Sequence, residues 1–142
     1  MVDIVRLRAL LSQLRSQRGK LTRYAQMDIE EYLSDEEHIG ASRYWLITAV
    51  DEALAVANHV IASEGLRAPS DYADAFRSLR DGGVLTESLT LRLEDMTRFR
   101  NLLVQAYAKV DDRRLHGYLQ QDVSDLDEFL KAVLDAFPGL EG

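Results

Sequence analysis

Only two prolines fall in the 142 residues, Pro69 and Pro138, and both stand where a helix begins or ends. A helix interior excludes proline because it lacks a backbone N–H and its ring strikes the preceding turn. Long helices are therefore permitted almost everywhere, and the apolar spacing fills the space so allowed. From Ile4, residues Leu7, Leu10, Leu11, Leu14, Leu21, Tyr24 and Ala25 mostly recur every three or four positions. That spacing predicts an amphipathic helix that tolerates Gly19 and runs to about Tyr32. Ser34-Asp-Glu-Glu37 reads as a capping box opening a second helix. This helix carries Ile39, Tyr44, Ile47, Val50, Leu54, Ala57, Val60 and Ile61, and Gly65 is placed to end it in the left-handed conformation. Pro69 and Ser70 introduce a third helix through Tyr72, Ala75, Phe76 and Leu79, and Asp81-Gly-Gly83 stops it. Thr86 caps a fourth, through Leu89, Leu93, Met96, Phe99, Leu103 and Tyr107. After a break near Lys109-Val-Asp-Asp112 the last helix carries Leu115, Tyr118, Leu119, Val123, Leu126, Phe129, Leu130, Val133 and Leu134, and Pro138-Gly139 ends it. No strand pattern, internal repeat or long linker interrupts the series. The expected fold is all-α, an antiparallel bundle of about five helices in which residues 1–142 form one domain.

The acid–base balance narrows the function. A net charge of −7 argues against a broad electrostatic grip on nucleic acid, which normally shows as a basic excess or a basic face. Basic residues nevertheless cluster, with Arg6, Arg8, Arg15, Arg18, Lys20 and Arg23 near the start and Arg92, Arg98, Arg100, Lys109, Arg113 and Arg114 later. Acids concentrate elsewhere, in 28–37 and 122–128. An acidic protein with a locally basic cleft is the expectation. There are no cysteines, so disulfides, thiolate metal sites and cysteine nucleophiles are excluded. No apolar run approaches the ~20 residues of a membrane span, and Met1-Val-Asp-Ile lacks the features of a signal peptide. The expected location is cytoplasmic.

Familiar catalytic and cofactor patterns are missing. His38, His59 and His116 lie far apart without paired carboxylates at ligand spacing, so neither a metal nor any other cofactor is expected. Gly82-Gly83 lacks the lysine and flanks of a phosphate loop and reads as a turn. No serine occupies a nucleophile elbow.

What stands out is Arg98-Phe-Arg-Asn-Leu-Leu-Val-Gln-Ala-Tyr107, where polar groups interrupt an ordinary apolar helix. At ~100° per residue, Asn101 and Gln105 share a stripe with Arg98, while Arg100 and Tyr107 share another. Polar side chains thus wrap much of the helix end. Such a cluster is most often a hydrogen-bonded helix end at an interface, and on residue chemistry alone that reading outweighs a catalytic one. A tyrosine at a helix end is likewise most often a packing residue.

Arg100-Asn101-Leu-Leu-Val-Gln105-Ala-Tyr107 resembles the Arg-x4-His-x-Tyr signature of HepT-like toxins, members of the HEPN superfamily of helical ribonucleases. The likeness extends outward. The segment 43–61 resembles the family's second long helix, 69–76 the helix that follows, and 93–101 the approach to the motif, together covering roughly residues 40 to 112. The resemblance implies a metal-independent endoribonuclease that works as a homodimer, with the motifs of both protomers meeting in a cleft that accepts RNA, such as tRNA. By that resemblance Arg100 holds the phosphate, Asn101 orients groups in the cleft, and Gln105 occupies the position of the catalytic histidine. Arg98 and Lys109 are further candidates for RNA contact. Tyr107 matches the tyrosine to which a partner MNT-type nucleotidyltransferase antitoxin adds AMP, a modification that puts negative charge and bulk where RNA phosphate must bind.

Gln105 departs from the family. Glutamine hydrogen-bonds but does not titrate near neutral pH, so it cannot replace a general acid or base whose contribution is typically ~10²–10⁴-fold. Catalysis is therefore expected to be weak or absent. Two origins fit the substitution: an engineered change that lets a toxic protein be produced, or a natural variant that lost catalysis and kept its partner. The same residues also admit a reading of another class, a non-catalytic helical module that binds a nucleotidyltransferase or a nucleotide through the same face.

Overall fold

The computed structural model describes residues 2–141, and among them every regular element is helical. Six α-helices follow in order: α1 (Ile4–Ala25), α2 (Ile29–Leu33), α3 (Glu36–Ser63), α4 (Tyr72–Asp81), α5 (Glu87–Gln105) and α6 (Asp112–Ala136). Short 3-10 turns occupy Tyr107–Lys109 and Pro138–Glu141.

Helix α3 is the centre, and each of the other five α-helices packs against it. Its sequence explains why. Ala49, Ala53 and Ala57 recur at four-residue spacing and are fully buried, so neighbouring helices approach closely along that line. Leu46, Val50, Leu54, Val60 and Ile61 widen the buried face on either side. Its 28 residues are long and apolar enough to cross a membrane by length and composition, but here those side chains form the packing surface for the bundle. Against it lie Leu7, Leu11, Leu14 and Leu21 of α1, Phe76 and Leu79 of α4, Leu93, Met96 and Leu103 of α5, and Leu119, Leu126 and Phe129 of α6. Phe76 and Phe129 meet edge to face at 5.7 Å. Phe99 and Tyr118 stack at 4.0 Å, joining α5 to α6.

Helix ends follow local chemistry. Thr86 caps α5 through Leu89 N–H at 3.2 Å, as its position predicts. Gly65 takes φ +64° past the end of α3, and Leu66 N–H reaches back to the Ile61 carbonyl at 2.9 Å, the left-handed termination read from the sequence. Gly83 closes the turn after α4 at φ +83°. Three expectations need correction. The first helix stops at Ala25 instead of about Tyr32, because Asp28 takes the Glu30 amide (3.2 Å) and starts the separate short helix α2. That turn buries Tyr32 completely, and it makes the bundle six helices where about five are expected. The capping box at 34–37 does not form as read. Asp35 receives the Glu37 amide at 2.9 Å, while Ser34 Oγ donates back to the Glu31 carbonyl at 2.6 Å and so closes α2. Likewise Asp71, rather than Ser70, caps α4, accepting from Asp74 N–H at 2.8 Å. In the last two cases a carboxylate beside the expected serine is the stronger acceptor for helix amides.

Ion pairs brace the layers. Arg92 on α5 reaches Asp125 (2.7 Å) and Glu128 on α6. Arg77 on α4 meets Glu94 on α5, and Arg18 on α1 holds Asp127 on α6 at 2.6 Å. Arg67 grips Asp74 with both guanidinium arms, and with the Ser70 amide it holds that carboxyl well below the usual carboxylate range.

Asp122 is the exception. It is 2% exposed, its Oδ2 has no hydrogen-bond partner, and burial with the nearby Asp125 charge pushes its carboxyl up to about 8. The unfolded chain releases this proton near ~pH 4 and the folded chain only near 8, so the unfolded state holds fewer protons in between. Stability contributed here is present below that window and is lost as pH rises through it. Asp122→Asn should therefore raise the thermal midpoint at pH 8 by ~3–6 °C, with little gain near pH 4, in parallel melts followed by circular dichroism. An equal change at both pH values contradicts the assignment.

Candidate functional site

Helix α5 ends two residues before the polar stretch does. Its last helical residue is Gln105, Ala106 leaves the helical region at φ −136° and ψ 46°, and Tyr107 opens the 3-10 turn. The single continuous helix through Tyr107 predicted from spacing is thus broken, which separates Tyr107 from the stripe it was expected to share with Arg100.

Arg100 lies low against α3, its side chain 16% exposed. Its Nε donates to Asp51 Oδ1 at 3.0 Å, Nη2 lies 2.9 Å from the same oxygen, and Nη1 donates to Asn101 Oδ1 at 3.1 Å. Its guanidinium sits over the Tyr72 ring of α4 at 5.5 Å. These partners engage at most three of the five N–H groups of an arginine, so the others remain to meet an anion. Asn101 is joined to Arg100 through the Nη1 bond, its Oδ1 accepting from the guanidinium.

Gln105 is exposed in the final turn. Five positions along a helix place it ~140° around the axis from Arg100, so one chain does not converge these two side chains on a single point. Arg98 belongs to another surface. It pairs with Asp95 at 2.8 Å and lines a hollow with Phe99, Leu102 and Tyr118. Lys109 is exposed in the 3-10 turn.

Tyr107 is 57% exposed, with its ring resting on a cation. That cation is Arg43 of α3, 5% exposed, whose guanidinium lies 4.2 Å from the ring centroid. Arg43 Nη1 donates to the Tyr107 carbonyl at 2.9 Å, and Nη2 donates to the Val110 carbonyl at 3.1 Å and to Asp112 Oδ1 at 3.0 Å. Beneath this pair is a buried polar layer. Tyr32 Oη and Ser42 Oγ share a hydrogen bond at 2.6 Å, and the His116 ring, 4.8 Å from that of Tyr32, meets the Met27 carbonyl at 2.8 Å through Nε2. Burial pushes the Tyr32 phenol above its ordinary value.

Arg43 and Asp51 were not singled out as site residues by sequence reasoning. Both stand on α3, eight positions and so about 12 Å apart along its axis, and their partners are 49 to 69 residues away. A polar residue within a wide apolar stripe was the one available signal. The same face also carries Tyr44 and Tyr72, read from spacing as core but 59% and 55% exposed, and Val104, 51% exposed. The histidines have local settings: His38 lies 3.8 Å from Asp35, and His59 lies 3.4 Å from Ser63 Oγ. Among the described residues no group of three or more His, Asp or Glu side chains is arranged to hold a metal.

Comparison with known proteins adds a family. No curated protein matches the sequence at a significant level. Solved structures do match the fold. One is the tri-AMPylated HEPN toxin of Shewanella oneidensis in complex with MNT antitoxin, at TM-score 0.82 and 19% identity, over 94% of this chain and 98% of that one. Another is YutE of Bacillus subtilis, described as a cytosolic protein of unknown function, at TM-score 0.80 and 24% identity, over 95% of this chain and 90% of that one. A third is a toxin–antitoxin complex with AMP-PNP, at TM-score 0.77 and 18% identity, over 92% and 96% of the two chains. Identities this low establish a shared architecture. The sequence itself is matched over residues 14–133 by the family described as ribonuclease HepT-like, and the chain belongs to that family.

Proposed function

We propose that this protein is the toxin component of a HEPN/MNT toxin–antitoxin pair: a homodimeric endoribonuclease scaffold of the cytoplasm, controlled by AMP transfer to Tyr107. One observation carries this reading. The end of α5 sets an arginine with spare donors, Arg100, and an exposed tyrosine, Tyr107, along the same helix α3. Phosphate binding calls on the first of these chemistries and nucleotidyl acceptance on the second.

The cleavage reaction requires no metal. The RNA 2′-hydroxyl gives its proton to a base as its oxygen attacks the adjacent phosphorus, a 2′,3′-cyclic phosphate forms, and the bond to the 5′-oxygen breaks as that oxygen takes up a proton. Arg100 stabilises the extra negative charge of the phosphorane, with Asn101 and Asp51 fixing its plane. Lys109 is exposed and available to the RNA backbone, while Arg98, paired with Asp95 on a separate surface, is reached only by RNA extending past the cleft; tRNA is the substrate we favour. The missing part is the proton carrier, because Gln105 holds the histidine position. In AMP transfer, the Tyr107 phenol oxygen attacks the α-phosphorus of ATP, pyrophosphate leaves, and the phenolic proton passes to solvent or to a base on the transferase. The phosphodiester then repels RNA phosphate.

Since Arg100 and Gln105 diverge within one chain, a groove shared by two copies is the arrangement that faces them toward one phosphate. The exposed Tyr44, Tyr72 and Val104 supply apolar surface for that contact. Light scattering should report the mass of two chains. Val104→Glu, at a side chain that contributes no core packing, should shift the protein toward one chain, and a monomeric wild type contradicts the dimer.

Gln105 favours a second reading, in which the chain keeps the face for a nucleotidyltransferase and has no catalytic role. Gln105→His separates the two. On the nuclease reading it raises RNA cleavage in EDTA by ~10² or more and makes expression arrest growth. No gain in either assay leaves the interaction module.

A further inference from the structure

The joint between α5 and α6 is held from outside rather than by its own backbone. Between Gln105 and Asp112 the local ladder includes Lys109 N–H to the Ala106 carbonyl at 2.9 Å and a long contact from Val110 N–H to the Tyr107 carbonyl at 3.4 Å. Arg43 supplies the stronger grip. Its two arms hold the carbonyls of Tyr107 and Val110, one at each end of the turn, and a third bond ties the same guanidinium to Asp112 in the first turn of α6. Three acceptors divided between two guanidinium nitrogens suit a rigid fork and not the single nitrogen of a lysine. The cation also covers one face of the Tyr107 ring. On the open side is a cleft of about 370 Å³ lined by Glu36, Ile39, Gly40, Arg43, Tyr107 and Asp112. A Cβ on Gly40 would meet nothing within 4 Å, so the cleft stays clear on the α3 side.

We infer that Arg43 is the positioning residue for modification of Tyr107: it fixes the backbone and one ring face of the tyrosine so that the phenol is presented, rotationally restrained, to an incoming nucleotide. This extends the reading of Tyr107 as the acceptor of AMP and rests on it. A side chain held in one pose attacks phosphorus without first paying the entropy of being ordered, and misplacement by about 1 Å can cost ~10²-fold in rate. ATP is bound by the transferase, so loosening Tyr107 lowers turnover and leaves the KM for ATP unchanged.

The test compares wild type, R43M, R43K and D112A, each incubated with the cognate nucleotidyltransferase and ATP and followed by intact mass. A partner-free measurement, the rate of trypsin cleavage after Lys109, runs in parallel. R43M should lose roughly 10²-fold in kcat with KM for ATP within about twofold, and its Lys109 bond should be cut about tenfold faster. R43K, which restores the charge but not the fork, should recover only a small part of the rate. D112A removes an exposed carboxylate without emptying the core and should lower kcat several-fold, so it carries the test if R43M loses its helical circular dichroism. Wild-type rates in both R43K and D112A overturn the inference while leaving Tyr107 as the acceptor. Absence of transfer to the wild-type chain overturns the acceptor reading, and this inference with it, even where trypsin confirms the clamp.

Discussion

Everything in this bundle depends on burying α3. A helix of 28 residues that is touched by all five others must be apolar over most of its circumference, and the alanine line through Ala49, Ala53 and Ala57 lets those neighbours come close. Burial on that side leaves the opposite side of α3 uncovered, through Gly40, Tyr44, Asp51 and Asn58. On or beside it stand Arg43, Tyr44 and Asp51, and the end of α5 is fastened to the same side through Arg100 and Tyr107. The candidate site is therefore a by-product of the core, placed where the packing of α3 runs out.

The energetics of Arg43 show why the joint is specific. A guanidinium taken out of water carries a penalty of several kcal/mol, which is offset only when its donors and charge are met in good geometry. Here two carbonyls, a carboxylate and an aromatic face meet it, although its Nε, with no partner, remains buried. The arrangement adds little to net stability by itself. Its effect is to exclude other paths for residues 106–111, since any other route strands a buried cation. Arg100 differs, because its Asp51 partner is 48% exposed and the pair is open to solvent. A phosphate competes with an exposed carboxylate far more easily than with buried carbonyls, so Arg100 suits exchangeable binding and Arg43 suits permanent fixing.

Much of this was legible beforehand. The core faces of α1, α3, α5 and α6 follow from three- and four-residue spacing, and the caps at Thr86 and Gly65 from one residue each. What was misread has a common physical cause, competition between adjacent groups. Asp35 and Asp71 outbid Ser34 and Ser70 for free amides, and Asp28 split the first helix. At the site, resemblance nominated Arg100, Asn101, Gln105 and Tyr107, but not their surroundings. Arg43 and Asp51 act across 49 to 69 residues, a separation at which no local pattern in one sequence reports a contact. Tyr44 and Tyr72 fit the apolar spacing, yet they face outward because periodicity identifies a stripe without saying how much of it a partner helix covers.

One residue decides between the two chemistries of this face. Arg100 and Asn101 can bind and polarise a phosphate without titrating, whereas strand cleavage needs a proton carried at neutral pH, and Gln105 does not carry one. Acceptance of a nucleotide makes no such demand on position 105 and asks only for an exposed, oriented phenol. The central claim is that Tyr107 is that phenol, and peptide-level mass spectrometry of the chain produced together with its nucleotidyltransferase addresses it directly. The account predicts added AMP, in one or more units, on the peptide containing Tyr107, with the exposed Tyr44 and Tyr72 unmodified. AMP on either of those residues, or a fully unmodified Tyr107 peptide, contradicts it.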